Sequence, residues 1–484
     1  MPYIYGNRDQ LTFLPTSIED YVKVDDPVRA YDAFIDALNP VDINLALDED
    51  QVGPPEYDPV SMLKLLVYGY SYGIRSSRKL ERALHHNLSF IWLTGGLYPD
   101  HKTIARFRRE HQETLREVMK QCARMCLRLG LVEGNILFVD GTKIEANASR
   151  GKSWSAEQCE KALEAIDQQI ETILTAIETI DMTEENQESM VKMQGELVDQ
   201  QELRKRVEAI AKEIQGRKNK KGSKYSPYNE VDPESRVIKS RKGTIQGYNG
   251  QIVCDDKNGI IVSTDVVNTG NDTLELATQI KQAENQLGKP CEIVVADTGY
   301  YTSEKIETLI NQGKEVIIPT PRTNNRWSSE MAFDKEAFQY DSQKDCYRCS
   351  QGKYLKKIRH DRRMRKIIYR IKKAEDCKNC IHWGKCTASE AGRSVVRLEQ
   401  EVLREKVRAH YHKPDVQLIY KRRKEKVEHP FGDLKHNSGF KKFLLRGIQG
   451  VQTELAIWAT HFNIRRMITI LGGVSEFRKV LQSI

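Results

Sequence analysis

Ile136-Leu137-Phe138-Val139-Asp140 and Ile293-Val294-Val295-Ala296-Asp297 are two apolar runs that each close on an aspartate. Four consecutive apolar residues rich in β-branched side chains predict a buried strand. Each aspartate then meets a turn signal, Gly141-Thr142 or Thr298-Gly299, so turn initiation is one reason for an acid there. The matching design of the two blocks points to another: a pair of carboxylates held at strand ends. A third acid, Glu428, lies far downstream in the basic run Tyr420-Lys-Arg-Arg-Lys-Glu-Lys-Val-Glu428-His-Pro-Phe-Gly. Magnesium takes a few carboxylates and leaves its remaining octahedral positions to water and phosphate. Two such ions about 4 Å apart serve phosphoryl transfer. Asp140, Asp297 and Glu428 are therefore the candidate catalytic residues and ligands of two Mg²⁺ (or Mn²⁺) ions, in a site suited to cutting a polyanion such as DNA. Lys424, one helical turn before Glu428, and Lys435, two turns after it, are placed to hold phosphates beside the metal.

Outward from these runs, strands are expected at Tyr248-Asn-Gly-Gln-Ile-Val-Cys254 and Gly259-Ile-Ile-Val-Ser-Thr264. A helix at 273–287, a strand at 292–297, a helix at 303–312 and a strand at 315–319 follow. With strand 136–140 they predict a mixed α/β sheet. Residues 1–130 read as helical. One helix is expected after Pro99-Asp100, carrying Ile104, Phe107, His111, Leu115, Val118 and Cys122 at helical spacing and ending near Gly130. Short helices bearing Arg75, Arg78, Arg106 and Arg108 suit either a helix-turn-helix-like DNA reader or a plain helical domain with charged faces.

Two long segments interrupt the sheet. Residues 152–220 carry heptad seams through Leu163, Ile166, Ile170, Ile173, Ile177 and Ile180 and, more weakly, Met190 to Ile214. They predict an inserted antiparallel helical hairpin, with a turn at Asp181-Met-Thr-Glu-Glu-Asn and a basic loop after Gly216. Residues 320–410 are too long for a loop and predict a second insertion. From Lys353 to Lys373 it holds eleven Lys/Arg residues against one acid, Asp361. Cys349, Cys377, Cys380 and Cys386 have spacings that suit a structural zinc site, with Cys346 spare; reduced, unligated thiols are the other reading. Trp327, after strand 315–319, is placed either to stack on a flipped base or simply to pack.

Lys and Arg total 76 against 68 acids in 484 residues, a net charge of +8. That excess is mild and speaks for nucleic acid mainly through its clustering. No apolar stretch approaches the ~18 residues that span a bilayer, and no signal peptide opens the chain, so a cytoplasmic protein with reduced cysteines and no membrane partner is expected. Neither a GxxxxGK[ST] nor a GxGxxG motif is present, which argues against a nucleotide cofactor.

Three blocks carry a family resemblance: Asp140-Gly-Thr-Lys-Ile-Glu-Ala-Asn-Ala-Ser149, Ala296-Asp-Thr-Gly-Tyr-Tyr-Thr-Ser303 and Val427-Glu-His-Pro-Phe-Gly-Asp-Leu-Lys435. They resemble the catalytic blocks of bacterial insertion-sequence DDE transposases, of the group numbered eleven eighty-two in the broader IS-four-like superfamily. Tyr68 to Leu80, Pro99 to Arg108, Arg446 to Glu454 and Phe462 to Met467 extend the resemblance over nearly the whole chain. It implies an RNase H-like catalytic domain in three parts (131–151, 236–320 and 413–484). An N-terminal helical DNA-binding domain (1–130), a helical hairpin (152–235) and a Cys-rich basic subdomain (321–412) complete the chain. It further implies binding of terminal inverted repeats and target DNA, strand cleavage, strand transfer and a dimer on DNA, in the bacterial cytoplasm and at the nucleoid when bound. The superfamily places a Tyr and an Arg seven and four residues before its Glu, and a Lys seven after. Lys435 fits; Tyr420 and Arg423 stand one residue too far from Glu428, and Lys424 holds the Arg position. A DNA-binding repressor or architectural protein without catalysis, and a nuclease without strand transfer, are the alternatives.

Overall fold

The computed structural model describes residues 17–45, 56–181, 187–216, 227–240, 243–323 and 327–483. Its first part is helical: α1 (Val28–Asp36), α2 (Pro59–Ser71), α3 (Ser77–His86), α4 (Leu88–Leu93), α5 (His101–Glu110) and α6 (Gln112–Arg128). The apolar series expected to form one helix is split between α5 and α6. His111 leaves the helical region (φ −103°, ψ 33°). Its ring stacks on Phe107 at 4.0 Å with Nδ1 3.1 Å from the Phe107 carbonyl, so the imidazole closes the last turn of α5. Asp100 caps the other end, accepting the Thr103 N–H at 2.7 Å.

The sheet begins with β1 (Ile136–Glu145). A short ribbon, β2 (Ser153–Trp154) with β3 (Tyr228–Asn229), then leads to and from the hairpin of α7 (Ala156–Asp181) and α8 (Gln187–Gly216). That hairpin packs its own small core of Cys159, Ile166, Val207, Ile210 and Ile214. Its expected turn at 182–186 and the basic loop at 217–226 lie outside the described residues. The sheet resumes with β4 (Arg236–Ser240), β5 (Gly243–Asp255), β6 (Ile261–Val267), α9 (Leu276–Leu287), β7 (Ile293–Ala296), α10 (Ser303–Asn311) and β8 (Glu315–Ile317). Strand order is β4-β5-β1-β7-β8, with β4 and β6 following one another along the outer edge of β5. The result is a mixed α/β sheet, parallel from β1 to β8 and antiparallel beyond β1.

The second insertion is an antiparallel sheet of β9 (Gln339–Asp341), β10 (Cys346–Arg348), β11 (Tyr354–Asp361), β12 (Lys366–Ile371) and β13 (Ser394–Leu398), in the order β13-β12-β11-β10-β9. A short α11 (Glu375–Lys378) precedes β13. Phe338, Tyr347, Leu355, Tyr369 and Val395 form its core. Then come α12 (Glu401–Tyr411), α13 (Pro414–Gly432), a π-helical turn at Asp433–Asn437, α14 (Gly447–Leu471) and α15 (Val474–Gln482).

α14 is buried around most of its circumference, against α2, α6 and β6. One apolar core runs from Val22 to Leu481, so the described helices before residue 130 share the sheet's core instead of building their own. Among the described residues, no helix is long and apolar enough to cross a membrane.

Candidate active site

The sequence predicts Asp140 as the last residue of its strand. It lies instead inside the ten-residue β1, because β5 pairs with β1 from Leu137 through Glu145. The parallel ladder to β7 is shorter and stops at Val139↔Ala296. The next residue on each side is an aspartate, so Asp140 and Asp297 emerge as neighbours where the sheet opens. Arg423 of α13 spans them, its Nη2 at 2.9 Å from Asp140 Oδ2 and 3.8 Å from Asp297 Oδ2. Asp140 also accepts the Gly141 N–H at 2.8 Å, and Asp297 the Gly299 N–H at 2.9 Å. Burial pushes the Asp140 carboxyl up to about 6; Arg423 and the Gly141 N–H oppose that shift, while Asp297 and Asp272 add to it.

The opposite face of β1 braces this pair. Gly141 and Lys143 stand across from Gln251 and Asn249 of β5. Both amides donate to Asp272 Oδ1, at 2.8 Å from Gln251 and 2.6 Å from Asn249, and Lys143 Nζ lies 3.3 Å from the same atom. Tyr300, just after Asp297, donates its hydroxyl to Gln251. The lack of a side chain at Gly141 leaves room for this network: a Cβ there would sit 2.5 Å from the Gln251 amide and 2.9 Å from Asp272 and displace them. Asp272, Lys143, Asn249, Gln251 and Tyr300 were not singled out from the sequence. Asn271-Asp272-Thr273 looks like an ordinary helix start, and Lys143 and Tyr300 lay unremarked within the blocks that hold the aspartates.

Arg423 is the DNA-binding candidate that the structure brings to the acids. Tyr420, one turn earlier, is half-buried against Tyr411 with ring centroids 5.0 Å apart; burial raises its hydroxyl pKa, with Arg423 opposing and both aspartates adding. Lys435 donates to the Thr142 hydroxyl, two residues from Asp140 on the same face of β1. α13 stays regular through Pro430 and changes to a π turn only after Gly432. At about 100° per residue, Glu428 therefore lies about 140° around the helix from Arg423. Glu428 and Lys424 are exposed, and neither forms a hydrogen bond or ion pair among the described residues.

The N-terminal arginines divide. Arg75 was a candidate DNA contact, but it pairs at 2.8 Å with the fully buried Glu454 of α14, bonds the Lys442 carbonyl at 2.9 Å and covers the Phe440 ring at 4.2 Å. Glu454 also accepts the Leu444 and Leu445 N–H groups, and burial raises its pKa. Arg108 is 4% exposed, with Nη2 3.4 Å from Ser77 Oγ. Both are occupied by internal packing, a correction to their reading as DNA contacts. Arg78 is exposed; Arg106 is exposed beside Glu56 and Glu110, at 3.7 and 4.0 Å. Trp327 is 39% exposed in the segment after β8.

Asp140 and Asp297 offer carboxylate oxygens that already converge on one cationic nitrogen, a donor set that fits a hard divalent cation in kind. Cys349, Cys377, Cys380 and Cys386 line one cavity of about 40 Å³, with N–H groups of Arg393 and His382 directed at the sulfurs of Cys377 and Cys380 (3.4 and 3.5 Å). Cys346 is buried on β10, away from that cavity's lining. Burial raises the Cys377 and Cys386 thiols. The donor set is that of a tetrahedral thiolate site. Among the described residues, no three His, Cys, Asp or Glu side chains are grouped so as to hold an ion as they stand.

Residues 16–110 match the family model described as a transposase domain (DUF772), and residues 346–468 match that of a transposase DDE domain. The second match holds Arg423, Glu428 and Lys435; Asp140 and Asp297 precede it. No curated protein matches the sequence. A cryo-EM structure of the piggyBac transposase synaptic complex with hairpin DNA matches at 10% identity and a TM-score of 0.33, covering 95% of this chain and 79% of that one. The two family matches, one in the N-terminal helices and one from the Cys-rich sheet through α14, support a transposase.

Proposed function

We propose that the chain is a Mg²⁺- or Mn²⁺-dependent DDE transposase of the insertion-sequence type, resembling the group numbered eleven eighty-two, with an RNase H-like catalytic sheet. It binds the terminal inverted repeats of its element, cleaves strands to free 3′-hydroxyls and joins them to target DNA as a DNA-bound dimer. The observation that carries this reading is the emergence of Asp140 and Asp297 side by side where the β1–β7 ladder ends, sharing one cation.

Asp140 and Asp297 would hold the metal, which when bound activates the attacking water or 3′-hydroxyl and stabilises the departing oxygen; Glu428, now exposed on another side of α13 from Arg423, would complete the ligand set only on a rotation of that helix. The chain's own residues do the rest. Arg423 screens the two carboxylates from each other when no ion is present. The Asp272 network holds β1 rigid behind Asp140, and Lys435, anchored on Thr142, meets phosphate at the lip of the site with Lys424. We also assign Zn²⁺ to the four-cysteine cavity, as a structural ion.

Protein incubated with Mg²⁺, labelled terminal-repeat DNA and a target plasmid tests the assignment. Joined product is expected. Cutting without joining makes the chain a nuclease, and binding without cutting makes it a repressor or architectural protein; either overturns the proposal.

A further inference from the structure

The sheet β9–β13 has one face packed on the aromatic core and one largely open face, on which Cys346 alone of its β10 residues is buried. Register assigns them: Tyr347, Leu355, Tyr369 and Val395 are cross-strand neighbours on the covered side, with the cysteine cavity and α12. The other side carries Arg348 on β10, Lys356 and Arg359 on β11, and Arg370 and Lys366 on β12, against two acids, Asp341 and Asp361, and the buried Cys346. Arg348, Lys356 and Arg359 are exposed, and neither they nor Arg370 form an ion pair among the described residues. Arg370 has a buried Nε without a hydrogen-bond partner. Tyr354, Val396 and Leu398 lie between them, 37–43% exposed.

This pattern is costly for the isolated sheet. Lys356 and Arg370 are direct cross-strand partners, and like charges so placed destabilise a sheet. The covered face, by contrast, neutralises its cations: Arg397 meets Glu405 at 2.8 Å, and Lys357 lies 3.9 Å from Asp345. Arg362 and Arg363 add two exposed cations at the β11–β12 turn. Neighbouring strands lie about 4.8 Å apart, so three strands spread their cations over roughly 10 Å, a length in which a duplex presents about six phosphates.

We infer that this face binds the phosphate backbone of double-stranded DNA, without reading its sequence, next to the catalytic sheet. The inference rests on the transposase reading and adds a surface to it. The subdomain is tied to the helix preceding α13: Lys335 pairs with Glu401 of α12, and Arg404 reaches the Pro321 carbonyl and, at 3.3 Å, Glu336. DNA held on the face is thereby held at a set distance from Arg423 and the aspartates.

The test is the salt dependence of binding by the full chain to a short duplex of arbitrary sequence, in EDTA so that no cleavage intervenes. Each phosphate contact contributes roughly 0.9 to the slope of log K against log salt. Lys356→Gln/Arg359→Gln/Arg370→Gln should flatten the slope by roughly 2.7. Lys192→Gln/Lys205→Gln, on exposed positions of α8, should leave it within a fraction of one contact. If the triple variant fails to fold, Arg359→Gln alone should remove roughly 0.9. A wild-type slope in the folded variant overturns the inference and leaves the active-site reading standing. Failure of the wild type to bind duplex overturns both.

Discussion

Arg423 meets the acids because α13 is phased by its apolar side. Val427 and Pro430 are buried, and Arg423 lies on their side of the helix, turned to the sheet. The superfamily spacing pointed to Lys424, which that phase leaves exposed. Spacing from Glu428 cannot detect a helix whose buried stripe falls one residue earlier. If Arg423 is the counter-cation of the pair, Arg423→Gln leaves two carboxylates facing each other. In EDTA it should cost on the order of 2 kcal/mol, or a few degrees in Tm. Mg²⁺ should then raise the Tm of the variant more than that of the wild type, since the ion replaces the lost charge. Equal Mg²⁺ shifts, read by thermal denaturation, would remove Arg423 from that role. Asp272 stayed invisible for the opposite reason: Asn271-Asp272-Thr273 is what a helix start looks like, and only the β1–β5 register brings Lys143, Asn249 and Gln251 onto it.

At the scale of elements, the apolar runs behind β1, β6 and β7 were legible because a buried strand needs little but consecutive apolar residues. The extension of β1 past Asp140 was not, since Gly141, Thr142 and Lys143 carry no strand signal of their own and are held by β5. α14 was harder still: a helix buried nearly all round has no amphipathic period, and its polar residues look like a surface. They are matched inside instead, Glu454 by Arg75 and His461 by the Tyr31 hydroxyl at 2.6 Å. The cysteine spacings suited either a zinc site or unligated reduced thiols, and Cys349, Cys377, Cys380 and Cys386 line one cavity. Zinc there should approach one ion per chain by elemental analysis and fall on Cys377→Ser, with loss of stability centred on residues 339–398 in hydrogen exchange. A wild-type content under about 0.2 per chain contradicts the site.

For the whole molecule, the shared core makes the N-terminal helices part of the same body as the mixed sheet that carries Asp140 and Asp297. Arg75 and Glu454 lock the α2–α3 connection to α14, which packs on β6 beside β5. End recognition by exposed residues such as Arg78 and Arg106 would therefore be read out by a body continuous with Asp140 and Asp297. The central claim is that these two aspartates, with Glu428, hold the metal that cuts DNA. Cleavage of labelled terminal-repeat DNA in Mg²⁺ by Asp140→Asn, Asp297→Asn and Glu428→Gln, each checked for retained duplex binding, tests it most directly. The account predicts that each variant binds yet cuts about 10³-fold more slowly or worse; near-wild-type cutting by any of the three would contradict it.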